Sequence, residues 1–208
     1  SAGDNDVEAL WEVSPPITNT PSNDWNNLGY SYSKAVVART QGNKWVAIFG
    51  NGYGSHSGKA SLYVVDLTTG DLIKEIVVDK NATGTAESGL SSPQVLVNAQ
   101  FQIEKIYAGD LRGNLWKFDF SSNDSNDWSG SKLFEAGVDQ PITTQPLIVE
   151  HPKGGYLIEF GTGKLNEVSD KFDKKLQAFY AIWDNDNSKK KKKSKLLAQS
   201  ITEEKLIN

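Results

Sequence analysis

Asp184, Asp186 and Ser188 stand at alternate positions in DNDNS, and side-chain oxygens at that spacing are how a calcium-binding loop begins. The glycine turn and distal glutamate that complete such a loop do not follow, because the chain runs on into lysine. SSNDSNDW (121–128) is a second run of oxygen donors with the same shortfall. Asn, Asp and Ser also build ordinary inter-strand turns, and the turn is the reading these residues favour. Asp184 and Asp186 are the better of the weak metal candidates. A third acidic residue, Asp110, lies alone in EKIYAGDLRGNLWKFDF (104–120) between two strand-like runs. His56 and His151 are far apart in turn-like contexts, and no P-loop, HExxH or G-x-S-x-G occurs. With no cysteine, a thiol nucleophile, a disulfide and a thiolate metal site are all excluded. The residues point away from an enzyme.

The elements that would position these groups are short and β-leaning. The chain has 208 residues with 18 Gly, 7 Pro and 10% aromatic residues, a turn-rich composition suited to strands. No apolar run approaches the roughly 18 residues of a membrane-spanning helix. SAGDNDVEAL opens without methionine, so an internal piece of a longer protein is expected. The net charge of −4 conceals an asymmetry. Without Lys189–Lys193 and Lys195, the 16 remaining basic residues face 26 acidic ones, a balance of −10. An acidic body of that kind argues against a broad nucleic-acid face.

Three segments superpose along the chain. SYSKAVVAR, WVAIFGNGYG and ASLYVVDLTTGDLIKEIVV make the first; LSSPQVLVN, KIYAGDLRG and NLWKFDF the second; ITTQPLIVE, GYLIEFGTGK and QAFYAIWD the third. Gly50, Gly109 and Gly161 fall at the same place, and Asp66, Asp119 and Asp184 each close an aromatic-containing strand. A four-stranded unit repeating at roughly 50 residues is the signature of a β-propeller blade. The fold class is therefore all-β, a propeller segment of about three four-stranded blades plus part of a neighbouring one. The expected division is a leading strand (EALWEVS) and Pro/Asn-rich loop in 1–30, then blades in 31–86, 87–140 and 141–208, with a Lys-rich loop at 188–195. LLAQSITEE (196–204) is a candidate last strand. Ser91, Ser92, Thr143 and Thr144 are small enough for crowded innermost strands. In the superposition Asp110 matches Asn51 and Thr162, neither of them acidic, so a structural turn is expected there rather than catalysis.

GNGY, SGKASLYVVD, YAGDLRGNLWKFD and FGTGK, in this order between about Trp45 and Asp184, resemble the C-terminal β-propeller of the PilY/PilC family. The resemblance implies a type IV pilus biogenesis or tip-adhesin protein at the cell surface, pilus tip or outer membrane of a Gram-negative bacterium. It also implies pilin or minor pilins as partners, and roles in pilus extension against retraction, adhesion and twitching motility. Calcium is typical of the family, held between the GLSSP and YAGDL motifs. Here that stretch offers only Asn98, Gln100, Gln102 and Glu104, with Phe101 and Ile103 where carboxylates and glycine would be expected. No cofactor is therefore expected at this loop. The alternative is a generic propeller interaction scaffold of a quinoprotein-like or outer-membrane assembly protein.

Candidate binding residues are Tyr53 and Trp128, with Trp25 a weaker third, because loop aromatics make good contact anchors. Lys189, Lys190, Lys191, Lys192 and Lys193 are candidates for contact with a host-surface or other anionic ligand. A solvated, self-repelling loop is the alternative.

Overall fold

The computed structural model describes residues 9–15, 23–79, 88–186 and 190–199. Eleven strands form three antiparallel meanders among them. The first sheet is β1 (Val36–Arg39), β2 (Trp45–Gly50), β3 (Ser61–Asp66) and β4 (Leu72–Val77). The second is β5 (Gln94–Val97), β6 (Ile103–Gly109), β7 (Asn114–Asp119) and β8 (Ser129–Glu135). The third is β9 (Leu147–Glu150), β10 (Tyr156–Gly161) and β11 (Phe179–Asp184). In each sheet the strands pair in sequence order, as in propeller blades.

Side chains alternate between the two faces of a strand, and the middle sheet buries both. Ile106, Ala108, Trp116 and Phe118 pack with Val46, Ile48, Leu62 and Val64 of the first sheet. Their neighbours Tyr107, Leu115 and Phe134 pack with Ile158, Phe160, Tyr180 and Ile182 of the third. Outer faces differ. On the first sheet Trp25 stacks on Tyr63, which in turn stacks on Phe49. On the third, Leu147, Val149 and Phe179 are exposed. The first strands of successive sheets lie side by side. The small hydroxyl residues ahead of them serve as connectors: Ser91 Oγ donates to Gly109 O at 2.9 Å, and Ser92 Oγ accepts from Lys34 N at 2.9 Å. Thr143 Oγ1 donates to Gly163 O at 2.7 Å.

Two expected strands are not seen among the described residues. Residues 9–14 of the leading strand are irregular, and Trp11 instead donates its indole N–H to Leu67 O at 2.9 Å and caps Gly70. The third sheet has three strands among the described residues. Beyond β11, Lys191 lies against the middle sheet, where its N–H donates to Leu133 O at 2.7 Å and it bridges Phe134 of β8 in parallel. Residues 196–199 are likewise not a strand, and 200–204 lie outside the described residues.

Gly50, Gly109 and Gly161 end the second strand of each sheet. A Cβ on Gly50 would run into the backbone of Leu90 and Ser91, and one on Gly109 into Ile142, in each case the segment leading to the next sheet. At Gly161 the nearest atom is a Phe179 ring carbon at 4.0 Å. Gly50→Ala and Gly109→Ala should each lose about 1–3 kcal/mol of stability by overpacking, while Gly161→Ala stays near wild type. Urea unfolding midpoints of the three variants check this ordering.

Candidate binding surface where the loops of three blades converge

The residue after each of those glycines is polar and closes the turn between the second and third strands. Asn51, fully buried, accepts Ser61 N–H at 3.0 Å and Leu90 N–H at 2.9 Å through Oδ1. Its amide donates to Asn27 O and Lys59 O, each at 2.7 Å. Asp110, also fully buried, accepts from Arg112 N, Asn114 N, Asn114 Nδ2 and Trp116 Nε1 at 2.7–2.9 Å. Burial pushes its carboxyl above the usual aspartate range against those four donors. Thr162 Oγ1 accepts Ala178 N–H at 2.9 Å and faces Ala178 O at 3.2 Å. The position thus requires a short side-chain acceptor rather than an acid, and Asp110 is a turn residue as the repeat implied.

These three loops open on the same face, where they and the segment ahead of β1 surround a cleft of about 150 Å³. Tyr30 and Tyr32 approach from that leading segment, Tyr53 from the β2–β3 loop, Leu111 from β6–β7, and Lys164, Asn166 and Glu167 from β10–β11. The backbone holds them close: Tyr30 N–H donates to Tyr53 O at 2.7 Å and Gly29 N–H to Asn51 O at 2.8 Å. Gly52 makes this approach possible, since it has φ +69° and a Cβ there would overlap Tyr30 O. Tyr32 and Tyr53 stack with ring centroids 5.4 Å apart, and Tyr30 meets Tyr32 edge-on at 6.4 Å. Burial raises the Tyr53 phenol above its ordinary value, opposed by a hydrogen bond from Asn166 and the charge of Lys164. Of the aromatic candidates read from the sequence, Tyr53 alone lies in this cleft. Its companions were missed because Tyr30 stands just ahead of the first repeat segment, Tyr32 and Lys164 sit at the margins of segments, and Asn166 and Glu167 lie in a loop between two segments of the third unit, where no periodicity marks them.

The other candidates fall elsewhere. Trp128 is buried, stacked on Phe120 at 4.5 Å with its N–H on Ser122 O, so it is core and not a contact surface. Asp184 and Asp186 meet two lysines of the middle sheet. Lys117 Nζ lies 2.7 Å from Asp184 and 2.9 Å from Asp186, and Lys105 Nζ lies 2.6 Å from Asp186. Tyr107 donates its hydroxyl to the buried Asp184 at 2.8 Å. Two ammonium groups thus fill the place a cation would need; Ser188 lies outside the described residues. Burial opposes the Lys105 charge, but Asp186, Glu104 and Asp184 together raise its pKa. The hydrogen bonds from Lys105 and Lys117 hold the Asp186 carboxyl below its usual value.

In the β5–β6 hairpin the amides bind one another. Asn98 Oδ1 accepts Gln100 N–H and Gln102 N–H at 2.9 and 3.0 Å, and Gln102 Nε2 donates to Gln41 O and Asn43 Oδ1. The Arg39 guanidinium donates to Gln100 O, and Glu104 faces Lys105 at 3.5 Å. Among the lysines, Lys190 pairs with Glu135, and Lys191 Nζ reaches Asn185 Oδ1 at 2.9 Å. Lys193 Nζ reaches Gln140 Oε1 at 2.7 Å and lies over the Tyr180 ring. Lys192 lines a cavity of about 410 Å³ beside Trp183; Lys189 is outside the described residues. This stretch therefore straps the third sheet to the second. His151 stacks on Trp183 at 4.3 Å.

The chain matches the PilY1 beta-propeller domain family over residues 2–207. It belongs to that family. It is 37% identical to the type IV pilus biogenesis factor PilY1 of Pseudomonas aeruginosa, with 86% of this chain and 18% of that protein covered. A PilY1 homolog of Xylella fastidiosa is 34% identical, with 87% and 13% covered. The chain thus spans less than a fifth of the length of these relatives. The crystal structure of the Pseudomonas aeruginosa PilY1 C-terminal domain superposes with a TM-score of 0.71 at 36% identity, covering 78% of this chain and 38% of that one. The propeller class read from the repeat is the fold of the family.

Breaking the buried charge cluster should separate its members. Asp184→Ala, which leaves the buried Tyr107 hydroxyl without its acceptor and Lys117 with Asp186 alone, is expected to lose about 1–3 kcal/mol. The exposed Asp186→Asn should lose under about 1 kcal/mol at neutral pH. Because the folded Asp186 carboxyl titrates below its unfolded value of about 3.9, its contribution is present above that pH and disappears as pH falls through the folded value. Thermal melting of wild type and Asp186→Asn from pH 7 to pH 3 should therefore converge at the acid end.

Proposed function

We propose that this PilY1-type propeller acts, as part of its parent protein, in type IV pilus biogenesis at the cell surface of a Gram-negative bacterium. The observation that carries this reading is the family match along nearly the whole chain, joined to the same blade architecture. In this reading the propeller is a non-enzymatic interaction module placed at the pilus tip or outer membrane. It contacts pilin or minor pilins, favours extension over retraction, and through that supports adhesion and twitching motility. Among the described residues no helix is long and apolar enough to cross a membrane.

We further propose that it works without calcium at the β5–β6 hairpin. Asn98 and Gln102 close that hairpin with their own amides, and Arg39 brings positive charge to it, so the local field and donor set disfavour a divalent cation. The lysine strap offers an anionic partner, such as an acidic pilin surface or host glycan, a charged contact through Lys192, while Lys190 and Lys193 are engaged within the protein.

The test is a deletion of this segment in the parent organism, with surface pili counted in the presence and absence of the retraction motor. Pili lost only when the motor is present is the expected result. Normal piliation in both backgrounds overturns the role in extension.

A further inference from the structure

We infer that the tyrosine cleft is a saccharide subsite taking one uncharged pyranose ring. The cleft is built before any ligand arrives. Its walls are tied by the Tyr30–Tyr53 backbone bridge and by Asn51, and its rims come from three different sheets. Yet Tyr30 and Tyr32 remain 69% and 63% exposed, an arrangement that leaves two held aromatic rings facing solvent.

Shape and charge select the occupant. Tyr32 stacks on Tyr53 at an interplanar angle of 30° and meets Tyr30 at 61°, so its ring, held by both neighbours and still largely exposed, offers a small platform. A pyranose lays its C–H face on such a platform, where carbon-bound hydrogens polarised by ring oxygens meet the negative π face. The volume of about 150 Å³ is half the lower bound of roughly 300 Å³ for drug-sized pockets. It suits one ring. Lys164 supplies the cation at the rim, but Glu167 at 3.3 Å and Asp170 at 3.4 Å already neutralise it. A phosphate or carboxylate ligand would have to displace those carboxylates, and a cationic one would lie beside the ammonium. Hydroxyl groups face neither conflict: Lys164 and Asn166 can donate to them and Glu167 can accept. Nothing in this inference depends on the pilus role.

The experiment is saturation-transfer NMR on the full chain with methyl glycosides of glucose, galactose, mannose and N-acetylglucosamine as separate probes. Transfer to the ring protons of at least one glycoside is expected. It should weaken at least about tenfold in Tyr32→Ala, and persist in Tyr32→Phe and in Trp45→Ala, which removes an exposed aromatic at the other end of β2. No transfer to any of the four, or equal transfer in Tyr32→Ala, overturns the inference. Binding of tetramethylammonium in place of every glycoside, lost in Tyr32→Ala, also overturns it and makes the cleft a cation site.

Discussion

The fold leans on a sheet whose two central strands bury apolar side chains on both faces. Strands β6 and β7 alternate Ile106, Ala108, Trp116 and Phe118 to one side with Tyr107 and Leu115 to the other, and both sets are buried. A four-stranded antiparallel sheet ordinarily keeps one face wet; here the second apolar face is stable only because another sheet covers it. The first and third sheets are covered on the side facing the middle one, and the chain must place them there for the middle sheet to exist. Removing any apolar side chain of β6 or β7 would open a cavity between sheets rather than a dent at a surface.

That packing brings the glycine-ended strands and the turns after them to one face. At Asn51 and Asp110 the same geometrical task is met by an amide and a carboxylate. The amide can donate as well as accept, so Asn51 also ties the segment ahead of β1 to its turn. The carboxylate only accepts, so Asp110 gathers the indole of Trp116 and the amide of Asn114 instead. The tyrosine cleft is the consequence at a larger scale. Each loop would be an unremarkable turn in isolation, and their convergence makes a walled site.

Charge follows the same logic. The spacing of Asp184 and Asp186 is compatible with a metal loop when the chain is read in one dimension. In three dimensions Lys105 and Lys117, 81 and 69 residues before Asp186, fill the space opposite them. The lysine run, which as a sequence repels itself, is held by partners scattered along the chain: Glu135, Gln140 and the ring of Tyr180. Its backbone also lies along β8, where Lys191 N–H donates to Leu133 O.

Local pattern by itself determined the strands, the repeat and the glycine positions, because alternation with period two and steric need for glycine are properties of neighbouring residues. It also placed Asp110 in a turn, through comparison with Asn51 and Thr162. It did not reveal that Trp128 is core, because an aromatic residue in a polar stretch reads as exposed until its partner Phe120, eight residues away, is known to face it. Nor did it show the leading segment, where Trp11 prefers a cap over Gly70 to a place in a ladder. The cleft and the aspartate–lysine cluster were decided only by tertiary structure. Their members come from different blades, and no periodicity within one blade records which loop, or which charge, the next blade will bring beside it.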